Sequence, residues 1–182
     1  MTGHSNIFFR NSFATLSITL LATLCAWGQT ASNNTPPSGI SHITPYANSL
    51  KEKAAQAYLY AERSHRADNL NEAKASARHA LRLLEEIKIT ITDAQTAFDP
   101  LITTDSHKKY AKLLYTISGD LIDMQNKTSW ATHKVNKIIS TNEFDEVKSA
   151  AAEVMSEIKK MESLLAETIS NIALVDHELN NK

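Results

Sequence analysis

Seven histidines and one Glu-x-x-His step are the residues here whose types and spacing come closest to metal chemistry. Glu62 and His65 stand one helical turn apart, the separation at which di-iron bundles present two ligands from one helix. Such a centre needs a second step of the same kind and two further inward carboxylates. No second Glu-x-x-His occurs, so no di-iron centre is expected. His65, His79 and His133 fall between apolar seam positions, where an imidazole reads as a solvated side chain and not as a ligand. Glu85-Glu86 and Lys159-Lys160 are charge pairs on faces turned to water, and no Ser or Cys nucleophile has a base implied by its neighbours. The expectation is no catalytic residue, no metal site and no cofactor. What remains is a group at similar depth just outside the seams: Tyr58, His79 and Trp130, with His133 beside them, form a candidate aromatic patch for a partner protein. Flanking the core is the plainer role for the same side chains.

These residues sit on four stretches in which apolar side chains recur at alternating spacings of three and four, the helical period. The second stretch is unbroken: Leu70, Ala73, Ala77, Ala80, Leu84, Ile87, Ile91, Ala94 and Phe98. The fourth runs from Phe144 through Val154, Ile158 and Leu165 to Leu179, and the third from Tyr110 through Leu121 and Val135 to Ile138, with Gly119 off the seam. The first, from Ile43 to Ser64, has the smallest side chains. Helices are expected over about 43–67, 69–98, 105–139 and 142–179. Asn69 and Glu72 have capping-box spacing, Ser140-Thr141-Asn142 can cap the last helix, and Thr104-Asp105-Ser106 the third. Asp99-Pro100 should stop the second. Short connections favour an all-α, antiparallel up-down-up-down four-helix bundle.

A shift of 74 residues lays one helical hairpin on the other, with Ile43 on Ile117, Leu50 on Met124, Leu70 on Phe144 and Leu84 on Ile158. The bundle is therefore read as two similar hairpins. A tetratricopeptide array would share the spacing of Ala61, Ala73 and Ala80, but its repeat closes in about 34 residues, too few for a second helix this long. The Arg66-Ala67-Asp68-Asn69 turn and the alanine-rich helix after it are similar to the haem-carrying four-helix cytochromes. That resemblance covers one hairpin and implies a Met near the start of the bundle and a His near its end. The first helix has no Met, and His42 and His177 lie at mismatched depths, so haem is not expected. Half of the sixteen seam positions from Ile43 to Phe98 are alanine, against two of eighteen from Ile117 to Leu179. Small side chains facing large ones read as ordinary packing. The other reading is an alanine-lined pocket for an apolar ligand.

With 182 residues, nineteen basic and twenty acidic, the formal charge is −1, which offers no field to collect nucleic acid or an anionic membrane. Residues 1–28 read as an export signal: Arg10 precedes an apolar stretch from Phe13 to Trp27, with Ala26 and Gly28 at cleavage positions. That stretch is shorter than the ~20 residues a membrane span needs, so no stable span is expected after cleavage. Cys25 follows Leu24 and not a small residue, which disfavours lipidation. Residues 29–41, rich in Asn, Thr, Ser and Pro, read as a flexible leader to a bundle over 42–179. The functional expectation is an exported, secreted or periplasmic, non-enzymatic bundle that binds a protein partner or helps assemble an envelope structure. A carrier of a small apolar or haem-like ligand is the alternative. Composition sets neither the partner's identity nor an oligomeric state.

Overall fold

The structure is a computed structural model that describes residues 40–103 and 105–180. The expected export signal and the leader up to residue 39 lie outside the described residues. Four helices make up the bundle: α1 (Thr44–Arg66), α2 (Leu70–Thr103), α3 (Ala111–Ser140) and α4 (Phe144–Asn180). They pack in a ring, with α1 beside α2 and α4, and α3 beside α2 and α4, as expected for antiparallel up-down-up-down order. The hairpin repeat holds at the helix ends: shifted by 74, the end of α1 falls on the end of α3 and the start of α2 on the start of α4.

All four seams close over one apolar core, in which Leu84, Ile87, Ile117, Met124, Ile158 and Phe98 are fully enclosed. In heptad terms the seams are the a and d positions, and the e and g positions flank them. Pairs across the grooves show that g flanks meet between α1 and α2 and between α3 and α4, while e flanks meet in the other two grooves. The alanine zone is filled. Ala57, Ala73, Ala77 and Ala80 are 0–1% exposed, as are Val135, Ile138 and Val147 at the same level of the bundle. Polar seam residues turn their hydroxyls onto backbone: Ser64 donates to Ala73 O at 3.0 Å and Thr128 to Met124 O at 2.8 Å. Burial of Thr128 also closes the Asn126-Lys127-Thr128 sequon to glycosylation.

At the turns, Asn69 Oδ1 accepts the Glu72 N–H at 3.0 Å, the expected N-cap, an interaction typically worth about 1 kcal/mol. Thr141 Oγ1 accepts the Glu143 N–H and donates to Glu146, while Asn142 is drawn off to Lys74. Three boundaries differ from expectation. Residue 40 belongs to the fold and not to the leader, because Ile40 is only 1% exposed and seals the end of the core ahead of a 3-10 turn at Ser41–Ile43. Pro100 does not stop α2, which continues to Thr103. Pro100 forfeits one N–H bond, the one to Thr96 O, and the burial of Leu101, which extends the seam, offsets that loss. Residues 105–110 form a 3-10 segment, so α3 starts at Ala111. Thr104 and the side chains of 105–107 lie outside the described residues, and with them the expected cap.

A filled alanine zone has a measurable consequence. Ala77→Leu should destabilise the bundle by about 1–3 kcal/mol through overpacking, whereas an empty pocket there would make the same change neutral or stabilising. Urea unfolding followed by circular dichroism decides between them.

Candidate functional site

Three of the four grooves are clasped by charge. Between α1 and α2, Lys53 reaches Glu86 at 3.5 Å and Thr90 at 3.3 Å, and Tyr60 stacks on His79 with ring centroids 5.0 Å apart. Between α3 and α4, Lys134 meets Glu153 at 2.6 Å, Lys137 meets Glu146 at 3.7 Å and Lys127 meets Glu157 at 3.9 Å. Between α1 and α4, the Lys159 ammonium lies 4.4 Å from the Tyr58 ring centroid, and His65 donates from Nδ1 to Lys148 O at 2.9 Å. The α2/α3 groove differs: among the described residues its side-chain bridge is the amide pair Gln95 to Gln125, at 3.5 Å.

The reason is in the composition of the two helices. Neither 89–103 nor 113–126 contains a Lys or Arg. Of the acids in these stretches, Asp120 faces α4 and donates nothing to the α2 side, since its Oδ2 accepts from Thr168 of α4 at 3.1 Å. By heptad position Asp93 and Asp123 also turn away from the α2/α3 groove, which leaves Asp99 as the carboxylate on this face. In place of charge the face carries Tyr115 and Ile122 of α3, which are 64% and 51% exposed. Tyr115 and Ile122 are seven residues apart and share one stripe of α3, with Gly119 between them. A Cβ added at Gly119 would meet nothing within 4 Å, so bundle packing does not require glycine there. A glycine in a helix interior costs roughly 0.5–1 kcal/mol relative to alanine. What it leaves is a notch where another chain can approach the α3 backbone between two exposed apolar side chains.

The four residues singled out from sequence occupy three different surroundings. Tyr58 lies half-buried under Lys159 in the α1/α4 groove, and His79 stacks on Tyr60 in the α1/α2 groove. Trp130, 39% exposed, lies under Lys134, itself held by Glu153, and His133 is exposed on the outer face of α3. His65, expected in solvent, is partly buried, because the position after buried Ser64 turns toward the first turns of α4. Glu62 pairs with Arg66 at 2.8 Å, so the Glu-x-x-His step is divided between two neighbours. Among the described residues no three His, Cys, Asp or Glu side chains converge as a metal-binding set, and no helix is long and apolar enough to cross a membrane. His42 places Nε2 3.3 Å from Ala97 O near the open end of the bundle.

Compared with known proteins, the chain matches no family model, no curated protein sequence and no solved structure.

One carboxylate is held at an energetic disadvantage. Burial lifts the Asp120 carboxyl above its ordinary value, the Thr168 hydroxyl pulls it back down, and Glu167 and Asp123 push it up. A raised folded-state value means the folded protein binds this proton more readily than the unfolded chain. The resulting stabilisation is present in acid and is lost as pH rises through the raised value. Asp120→Asn keeps an acceptor for Thr168 and should raise the melting temperature at neutral pH. The difference from the parent should vanish below the ordinary carboxylate range. Thermal melts across that range are the check, and a variant less stable at neutral pH would contradict the assignment.

Proposed function

We propose that this chain is an exported, non-enzymatic helical bundle that binds a protein partner through the outer face of α2 and α3. The observation that carries the reading is the contrast between grooves. Three are clasped by ion pairs, cation–π contacts or a partly buried imidazole, while the fourth presents Tyr115 and Ile122 to solvent beside an open glycine. Large exposed apolar side chains grouped on one face with little charge mark association surfaces more often than isolated ones do. The face also offers Gln95, Thr92, Thr96 and Gln125 for hydrogen bonds at an apolar interface, with little charge to desolvate. Export is supported by the apolar stretch from Phe13 to Trp27 behind Arg10. The Trp130 stripe is the second candidate surface, but its ring is already engaged by Lys134.

Two substitutions separate binding from folding. Ile122→Glu changes an exposed position and should leave stability within about 0.5 kcal/mol of the parent, while abolishing partner capture from an envelope extract. Gly119→Ala should stabilise the helix by roughly 0.5–1 kcal/mol and still weaken capture by filling the notch, a combination that unfolding cannot produce. Trp130→Ala should leave capture unchanged. If the parent and Ile122→Glu recover the same proteins, or no protein is recovered at any salt concentration, the proposal fails.

A further inference from the structure

A second feature lies on the other side of the bundle, where the start of α1 meets the end of α4. Thr44 and Ala47 of α1 and Ile169, Ile172, Ala173 and Asp176 of α4 line a cavity of about 180 Å³. Five of these six residues offer methyl or methylene surface, and Asp176 is the charge among them. Its Oδ1 is buried and has no hydrogen-bond partner. An acceptor left in that state carries a desolvation penalty of roughly 1–3 kcal/mol, more when it is charged, and native structures seldom leave one without a reason.

Among the described residues no cation pairs with this carboxylate. Lys109, on the far flank of α4, is bound to Glu178 at 3.3 Å. Lys51, next on the same flank of α1 as Thr44, lies seven residues along the helix, or about 10 Å. The groove therefore carries one carboxylate, one oxygen of it buried and unpartnered, at the edge of an apolar hollow. A dry apolar cavity of ~150 Å³ takes a molecule the size of benzene, so the space matches a small organic cation in size.

We propose that this groove binds a small organic ammonium ion, with its N–H groups donating to Asp176 and Thr44 and its hydrocarbon part lying on Ala47, Ile169 and Ile172. The three N–H bonds of an ammonium suit a carboxylate oxygen and a hydroxyl together, and a charge-assisted bond to a carboxylate is about twice as strong as a neutral one. This site is separate from the α2/α3 face, and neither depends on the other.

Benzylammonium, benzyl alcohol and benzoate are close in shape and differ in charge, so calorimetric titration of each into the full chain tests the assignment. Saturable binding of benzylammonium in the millimolar range or tighter is expected, with benzyl alcohol weaker by roughly tenfold or more and benzoate not binding. Asp176→Asn should weaken benzylammonium by a similar factor without lowering the melting temperature. Ala173→Leu keeps the carboxylate and fills the hollow from an exposed position, and it should weaken binding as much. Equal affinity for the amine and the alcohol, undiminished binding by Asp176→Asn, or no saturation by benzylammonium would each overturn the site. Should Asp176→Asn fail to fold, the ligand series and Ala173→Leu decide the matter alone.

Discussion

The bundle depends on small side chains of one hairpin meeting large side chains of the other. A buried alanine removes little apolar surface from water, at about 0.8 kcal/mol for each buried carbon of this kind. The α1 and α2 seams, with Ala47, Ala54, Ala57, Ala61, Ala73, Ala77, Ala80 and Ala94, therefore hold little burial of their own. They become a core by letting α1 and α2 approach closely enough for Val135, Ile138, Val147, Val154 and Ile158 to reach across. The dependence is mutual, because those branched side chains would stand in water without the alanine surface to cover them. Neither hairpin encloses a core alone, so the fold forms as one cooperative unit although its halves repeat each other in register.

Interdigitation sets how close the helices come, and the flanking charges settle which flank faces which. Lys134 with Glu153, Lys127 with Glu157 and Lys53 with Glu86 all join g-flank or adjacent positions, while Lys159 over Tyr58 and His65 on Lys148 O join e flanks. Individually such surface contacts contribute at most about 1 kcal/mol. Their larger effect is to favour this arrangement of the four stripes over its mirror image, in which these pairs would be broken. Only two such assignments are needed for a ring of four, so the α2/α3 groove can omit its own clasp at no loss of specificity. That freedom is what allows Tyr115 and Ile122 to stand there in place of lysine and glutamate.

Much of this architecture is legible in the residues alone. The seams, the four helices, their antiparallel order and the Asn69 cap follow from spacing and capping chemistry, because each depends on neighbours within one or two turns. What escapes such reading depends on contacts between helices. Pro100 is passed because Leu101 buries a further seam position, and Ile40 is recruited because the end of the core needs a lid. Tyr58, His79 and Trp130 share a depth from the turns, but depth says nothing about azimuth, and the ring order of helices sends them to different grooves. The α2/α3 face had a signal, the loss of every Lys and Arg from 89–103 and from 113–126. Two such windows become one surface only when α2 is known to lie beside α3.

The distribution of polar groups along the bundle axis points the same way. Near the two interhelical turns, hydrogen-bonding groups are matched: Asn69 with Glu72 N–H, Thr141 with Glu143 N–H and Glu146, Lys74 with Asn142, His65 with Lys148 O. Toward the opposite end lie the features that stability alone does not favour. Asp120 sits partly buried among Glu167 and Asp123, Asp176 keeps a buried oxygen without a partner, and Gly119 interrupts a helix that has room for a side chain. Each of these is a local departure from the rules that the rest of the chain obeys, and each would be removed by a single conservative substitution. Departures of this kind lie toward one end of an otherwise regular bundle, opposite the two interhelical turns, where the polar groups are matched.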